Sequence, residues 1–65
     1  MIKYPNVTVN LSDCDGNAFS IMGEVTRAMR QDHISAAEQS AFRKEATSGD
    51  YDNLLQTCMR WVNVT

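Results

Sequence analysis

The stretch DGNAFSIMG, residues 15–23, marks the point at which extended sequence changes into helical sequence. Before it, apolar and polar side chains alternate with the period of a strand, whereas after it the apolar positions recur every three or four residues. Gly16 favours a turn, and Asn17 is a residue type that caps the first amide groups of a helix. The stretch therefore predicts a strand-to-helix junction, with the rest of the chain packed on the helix that it begins.

The first strand is predicted over residues 6–12. Val7, Val9 and Leu11 alternate there with polar residues, and Pro5 favours extended backbone in the residue before it. At the other end of the chain, residues 61–64 alternate again and carry β-favouring side chains. These two segments predict one strand near each end of the chain.

Three helices are predicted between the strands, over about residues 18–31, 36–47 and 51–60. Ser35 and Glu38 have the spacing of a capping box, in which each side chain bonds the other residue's amide. Glycine and aspartate at positions 49 and 50 suit a helix end followed by a new helix start. The residues predicted to face inward are Ala37, Ala41 and Phe42 in the second helix and Tyr51, Leu54, Leu55 and Cys58 in the third.

The predicted fold is α+β, a single domain of residues 1–65 with the element order β-α-α-α-β. Two strands at opposite ends of a chain make a poor sheet in isolation, and an exposed strand edge readily pairs with another chain. We therefore predict that homodimerisation completes the strands into one sheet. A mid-helix glycine costs about 1 kcal/mol relative to alanine, which suggests close approach of another backbone or room for a ligand or partner. The predicted interface residues are Gly23, Val7, Val9, Trp61 and Val62.

Composition limits the classes of function. The chain has 65 residues and a net charge of −2, from six Lys and Arg against eight Asp and Glu. This balance argues against DNA or RNA binding by phosphate neutralisation and against attraction to anionic membranes. Two cysteines and no apolar run of signal-peptide length favour the cytoplasm. A domain this small has a thin stability margin, so a disulfide, a metal or a partner chain is expected to support it.

A calcium loop is the first metal site to consider. Counting Asp13 as position one places Asp15 at three, Asn17 at five and Glu24 at twelve of an EF-hand loop. The loop requires glycine at position six, however, where this chain has Ala18. We therefore interpret the acidic stretch as a turn with a helix cap.

Zinc binding and catalysis find equally little support. Cys14, His33 and Cys58 lack the close spacing of zinc ligands, and we interpret Cys58 as a small buried hydrophobe. One histidine and two cysteines give no recognisable nucleophile and base. The sequence thus predicts no metal, no cofactor and no enzymatic activity.

The strongest candidate for ligand binding is the junction TSGDY, residues 47–51. Hydroxyl groups, a glycine, free amides at a helix start and an aromatic ring suit a small anionic or nucleotide-like ligand. Acidic side chains nearby oppose the binding of an anion unless arginines compensate for their charge, which they could do across a dimer interface. The alternative interpretation of this junction is a plain turn between two helices. The residues predicted to bind a ligand are Arg27, Arg30, Thr47, Ser48, Gly49, Tyr51 and Arg60.

Residues 15–23 and EATSGDYDNLLQTCMRWV, residues 45–62, resemble a family of short, mostly uncharacterised proteins from bacteria, prophages and phages. The resemblance runs from about Tyr4 to Val64, although Asn53 stands where the family pattern has histidine. It brings no established activity, but phage proteins of this size often bind a host factor. Together with the predicted homodimer and the expected cytoplasmic location, it suggests a binding protein that sequesters a host factor or a small signalling nucleotide to counter host defence. The alternative is a regulatory protein–protein interaction module with no small ligand.

Overall fold

The computed structural model describes residues 1–13 and 16–65, with only the backbone of Asp13 included. It confirms the predicted α+β fold with the order β-α-α-α-β. The predicted ends of the helices agree with the observed ones to within one residue. In chain order, the elements are strand β1 (Tyr4–Val9), a short 3₁₀ turn (Leu11–Asp13), helices α1 (Ala18–Gln31), α2 (Ala36–Ala46) and α3 (Tyr51–Trp61), and strand β2 (Val62–Val64).

The two strands pair with each other, in parallel, within one chain. Tyr4 lies opposite Val62 and Val9 opposite Val64, with an irregularity in register between Tyr4 and Thr8. Parallel strands need a long crossover connection, and the three helices supply it. The sheet therefore forms without the strands of a second copy, and dimerisation itself stays a prediction.

β1 begins and ends two to three residues earlier than predicted. Asn10 ends it, because its side-chain oxygen accepts hydrogen bonds from the amide and the hydroxyl of Ser12, at 3.0 and 2.5 Å. Such a local bond turns the backbone away from the strand ladder. Leu11, predicted in the strand, therefore lies in the 3₁₀ turn and packs against the core from there.

The core lies where the three helices meet one face of the sheet. Phe42 is fully buried at its centre, and its ring meets Trp61 edge-on, with 5.7 Å between ring centroids. The predicted inner face of α2 is partly wrong, because Ala37 and Ala41 are exposed and Ala46 is buried instead. Phe42 fixes the orientation of the helix, and its neighbour one turn later is Ala46, so the methyl groups of the other two alanines point elsewhere.

Each helix begins with a side-chain cap. Asn17 accepts from the amide of Phe19 at 2.8 Å, and Asp50 accepts from the amide of Asn53 at 2.9 Å. At the start of α2, Ser35 accepts from the amide of Glu38 at 3.3 Å, as predicted. These three caps confirm the predicted positions of the helix starts.

Glu38, however, does not complete the predicted capping box. Its carboxylate pairs with Lys3 Nζ at 2.8 Å and accepts a hydrogen bond from the hydroxyl of Tyr4. Lys3 Nζ also lies 4.3 Å from the centroid of the Trp61 ring, a cation–π distance. The bonds from Lys3 and then Tyr4 lower the pKa of the Glu38 carboxyl. This side chain thus fastens the start of α2 to β1 rather than to its own helix.

Candidate binding site

An open, mostly apolar cleft lies between the first turns of α1 and α3 and the α2–α3 connection, with a volume of about 250 Å³. Three residues of the predicted ligand site line it, Thr47, Gly49 and Tyr51. Ser48 does not. The other lining residues are Ala18 and Met22 of α1, Ala46, the cap residue Asp50, and Leu54 of α3.

The polar groups of this junction are already engaged within the chain. The hydroxyls of Thr47 and Ser48 donate to the carbonyl oxygens of Arg43 and Glu45, at 2.8 and 2.7 Å. The Asp50 carboxylate caps the first turn of α3, where an anion would otherwise bind. The cleft therefore suits an apolar group much better than a phosphate.

Gly49 has a packing role rather than the helix-ending role that the sequence suggests. Its backbone does not adopt a positive φ, and α2 is capped by Thr47 instead. A Cβ atom at position 49 would lie only 3.0 Å from Cβ of Asn53. Asn53 in turn donates to the carbonyl oxygen of Glu45 at 3.0 Å, which ties the start of α3 to the last turn of α2.

The three arginines of the predicted ligand site lie away from the cleft. Arg27 pairs with Glu24 on its own helix at 3.2 Å. Arg60 pairs with Glu45 at 2.9 Å. It follows Tyr51 by nine residues in α3, which at 1.5 Å per residue is about 13 Å along the helix axis. Within one chain, the predicted set thus separates into cleft residues and arginines.

Arginines meet instead on the outer side of α1 and α2. The hydroxyl of the buried Thr26 accepts a 3.5 Å hydrogen bond from the guanidinium of Arg43 in α2. Gly23 precedes Thr26 by three positions and Arg30 follows it by four, so both lie on the same side of the helix. We call Arg27, Arg30 and Arg43, which surround Gly23, the basic face. Arg30 and Arg43 form no ion pair with any described residue.

Gly23 lies at the surface, and a Cβ atom built on it would meet nothing within 4 Å. The close approach of another backbone, one of the two explanations that the sequence offers, is therefore wrong within this chain. The open space fits the other explanation, room for a partner.

Replacing Gly23 with alanine is expected to stabilise the isolated chain by about 0.5–1 kcal/mol, because glycine in a helix interior gains more entropy on unfolding. Urea denaturation at low micromolar concentration measures the change. Gly49→Ala is the matched control and should lower the free energy of unfolding, since its Cβ would press on Asn53. A loss of stability in Gly23→Ala would contradict the open surroundings of this residue.

Phe19 is the most prominent apolar side chain of the surface around the cleft, with 81% of it exposed. Ala18 and Met22, the residues one position before and three positions after it, both line the cleft. Its ring therefore stands at the rim. Ala18 and Met22 face the core side of α1, and the offset of 100° per residue turns Phe19 outward from them.

Of the five predicted interface residues, only Gly23 is at the surface. The other four, Val7, Val9, Trp61 and Val62, are buried in the core of the single chain. Their side chains are satisfied by intrachain packing, and their place in a dimer interface stays a prediction.

No metal site is evident in the part of the chain that the structure describes: no three His, Cys, Asp or Glu side chains there could hold one ion. Cys14 and Asp15, which belong to the zinc and calcium patterns weighed above, lie outside the described residues. Cys58 is a free, fully buried thiol, as interpreted, and burial raises its pKa to about 11. It is therefore protonated near neutral pH and poorly suited to nucleophilic chemistry.

Comparison with known proteins gives no assignment for this site, since no family model, curated protein or solved structure matches the chain. Among the described residues, none of the helices has the length and apolar character needed to cross a membrane.

Proposed function

We propose that this chain is a small, non-enzymatic binding protein that sequesters a host protein through its basic face. The observation that carries the proposal is the pair of exposed guanidinium groups of Arg30 and Arg43, which lack an acidic partner among the described residues. The chain as a whole is acidic, with a net charge of −2, so these two unneutralised guanidinium groups form a local positive patch on it. An acidic surface on the partner would supply the missing charges.

A protein is a better ligand for this face than a signalling nucleotide. A nucleotide would need the arginines beside hydroxyls and free amides, whereas the hydroxyls of Thr47 and Ser48 bond to α2 and the Asp50 carboxylate lies at the cleft. The basic face is an exposed surface formed by two helices, and the guanidinium groups of Arg30 and Arg43 lie on it without an ion pair among the described residues. Such a surface suits contact with another folded surface.

The resemblance to short phage and prophage proteins supports a role in the cytoplasm of an infected host, where sequestration would inactivate a defence or regulatory protein. In this proposal the protein acts as a homodimer, so that each particle carries two basic faces. Two sites on one particle raise the avidity for an oligomeric target without any new contact.

Affinity capture from host lysate tests the basic face directly. We expect tagged wild-type protein to retain one host protein in stoichiometric amount and the Arg30→Glu and Arg43→Glu variants to bind it about tenfold or more weakly. Lys44→Glu is the matched control, because it makes the same change of charge on another side of α2. Like the two arginines, Lys44 is exposed and forms no ion pair with a described residue. This control should bind like the wild type.

Two results would overturn the proposal. One is full retention of the partner by both arginine variants. The other is a nucleotide that co-purifies with the protein in native mass spectrometry and raises its melting temperature. Salt-sensitive retention of the protein on DNA, lost in the same variants, would indicate nucleic acid instead and would also contradict it.

A further inference from the structure

Phe19 and the cleft lie side by side on one surface, and neither has an occupant or a partner within the described part of the chain. The ring of Phe19 is 81% exposed, and the cleft next to it is lined largely by apolar atoms. We propose that Phe19 of each chain inserts into the cleft of a second copy, so that two chains form a two-fold symmetric dimer. The proposed function assumes a homodimer, and this inference specifies its interface; it rests on the proposed function for that assumption alone.

The cleft is large enough for the ring. A cavity of roughly 150 Å³ already holds a benzene molecule, and this cleft has a volume of about 250 Å³. Ala18, Met22 and Leu54 supply apolar walls for it. Insertion would remove a large aromatic surface from water on both sides, the main source of binding free energy at protein interfaces.

The adjacency of ring and cleft selects a closed dimer. In a two-fold interface both copies use the same surface, so the inserting group and the receiving group must lie next to each other. Ala18 and Met22 meet this requirement, because they line the cleft and are the helical neighbours of Phe19. A ring and a cleft on opposite sides of the molecule would instead build open chains.

Charge complementarity favours a second copy over an apolar small molecule. Asp50 lies in the wall of the cleft and Asp52 in the adjacent first turn of α3. On the other side of Phe19, two helical turns later, lies Arg27, which forms an exposed pair with Glu24 in the single chain. The two-fold axis reverses this order in the second copy, so the acidic side of each chain faces Arg27 of the other.

The same reversal accounts for the open space at Gly23 and for the exposed ring of Tyr51. Gly23 lies one turn beyond Phe19 and leaves open space, whereas the ring of Tyr51 stands at the cleft with 46% of it exposed. In the dimer, the Tyr51 ring of one copy covers the Gly23 backbone of the other. Arg30, further along α1, and Arg43 of α2 stay outside this contact, so these two arginines of the basic face remain free to bind a partner.

The expected interface is small. Each Phe19 exposes about 120–200 Å², from its exposed fraction and the 150–250 Å² that aromatic side chains bury. The cleft surface that each ring covers is about as large as the ring surface itself, so the two insertions bury roughly 500–800 Å² in total. Stable interfaces typically bury roughly 1,200–2,000 Å². The contacts of Tyr51 and the charges add to this area, and we expect a weak dimer with a dissociation constant of roughly tens to hundreds of micromolar.

Sedimentation equilibrium from low micromolar to submillimolar concentration tests the dimer. We expect wild-type protein to dimerise over this range and Phe19→Ala to dissociate about tenfold or more readily, while circular dichroism shows an unchanged fold. Met59→Ala is the matched control, since Met59 is 47% exposed on α3 and does not line the cleft. Wild-type protein that stays monomeric, or Phe19→Ala that dimerises like the wild type, would overturn the inference.

A charge exchange tests the arrangement of the two copies. Arg27→Glu and Asp52→Arg should each weaken their own homodimer, because like charges then meet twice. Mixing the two variants should restore wild-type dimerisation, since the mixed dimer places opposite charges together at both contacts. No gain on mixing would overturn the two-fold arrangement. Neither outcome affects partner capture by Arg30 and Arg43, so failure of the dimer and failure of the proposed function are distinguishable.

Discussion

Phe42→Ala is expected to remove a large part of the protein's free energy of unfolding. The side chain is fully buried and packs edge-on against Trp61 at the centre of the core. Truncating such a ring to alanine costs about 3–5 kcal/mol, whereas a domain of 65 residues has a free energy of unfolding of roughly 3–10 kcal/mol. Urea denaturation followed by circular dichroism measures the change.

Phe19→Ala is the matched control for this substitution, because it removes the same atoms from a side chain that is 81% exposed. At low micromolar concentration, where the protein is expected to be monomeric, it should change the free energy of unfolding by no more than about 0.5 kcal/mol. A loss below about 1 kcal/mol in Phe42→Ala would contradict the central position of this ring in the core.

Val62→Asp is the second substitution with a large expected effect. Val62 is fully buried where α3 ends and β2 begins, opposite Tyr4 of β1. A carboxylate there would be buried without a partner, at a cost of about 3–5 kcal/mol. The loss of the buried valine adds about 1.5–3 kcal/mol, so the total approaches the free energy of unfolding of a domain of this size. We expect a collapsed range of amide chemical shifts in a ¹H–¹⁵N spectrum at neutral pH.

The pH dependence of this variant follows from the same argument. Burial raises the pKa of the introduced carboxyl above its value in the unfolded chain, so the folded state binds the proton more tightly. Stability should therefore increase as the pH falls through that raised pKa, and partial refolding is expected in mild acid. Val64→Asp is the control, since Val64 is only half-buried and should tolerate the charge better. Equal spectra for the two variants would contradict the position of β2.

The helices could be predicted from the sequence because their signals are local. Asn17, Ser35 and Asp50 are strong capping residues, and each forms the expected hydrogen bond at a helix start. The apolar spacing of α1 likewise reports its buried face directly. Alanines carry a weak signal of this kind, and for that reason the inner face that the sequence predicts for α2 wrongly includes Ala37 and Ala41.

The features that could not be predicted depend on residues far apart in sequence. The parallel pairing of β1 with β2 and the bond between Tyr4 and Glu38 arise only after the three helices have packed. The need for glycine at position 49 comes from its contact with Asn53, and the known preferences of turn residues do not predict that contact. Local rules describe what a segment prefers, whereas these contacts follow from where packing places it.

The candidate site was predictable in part for the same reason. Thr47, Gly49 and Tyr51 belong to one continuous junction, and the structure brings them together around the cleft. Arg43 joins the basic face through α2 packing against Thr26, which no spacing in the sequence indicates. The sequence predicts that Phe19 lies in α1, but its exposure depends on which side of that helix packs against the core.

Closure of the sheet within one chain is the basis of both proposals, because it leaves α1 and α2 free to contact other molecules. Nuclear Overhauser effects in an equimolar mixture of isotope-labelled and unlabelled protein test it most directly. We predict contacts between Thr8 or Val9 of β1 and Asn63 or Val64 of β2 only within labelled chains, at every concentration. Contacts between these strands that appear in the spectrum filtered for labelled-to-unlabelled pairs would show that the strands pair between chains, and would contradict it.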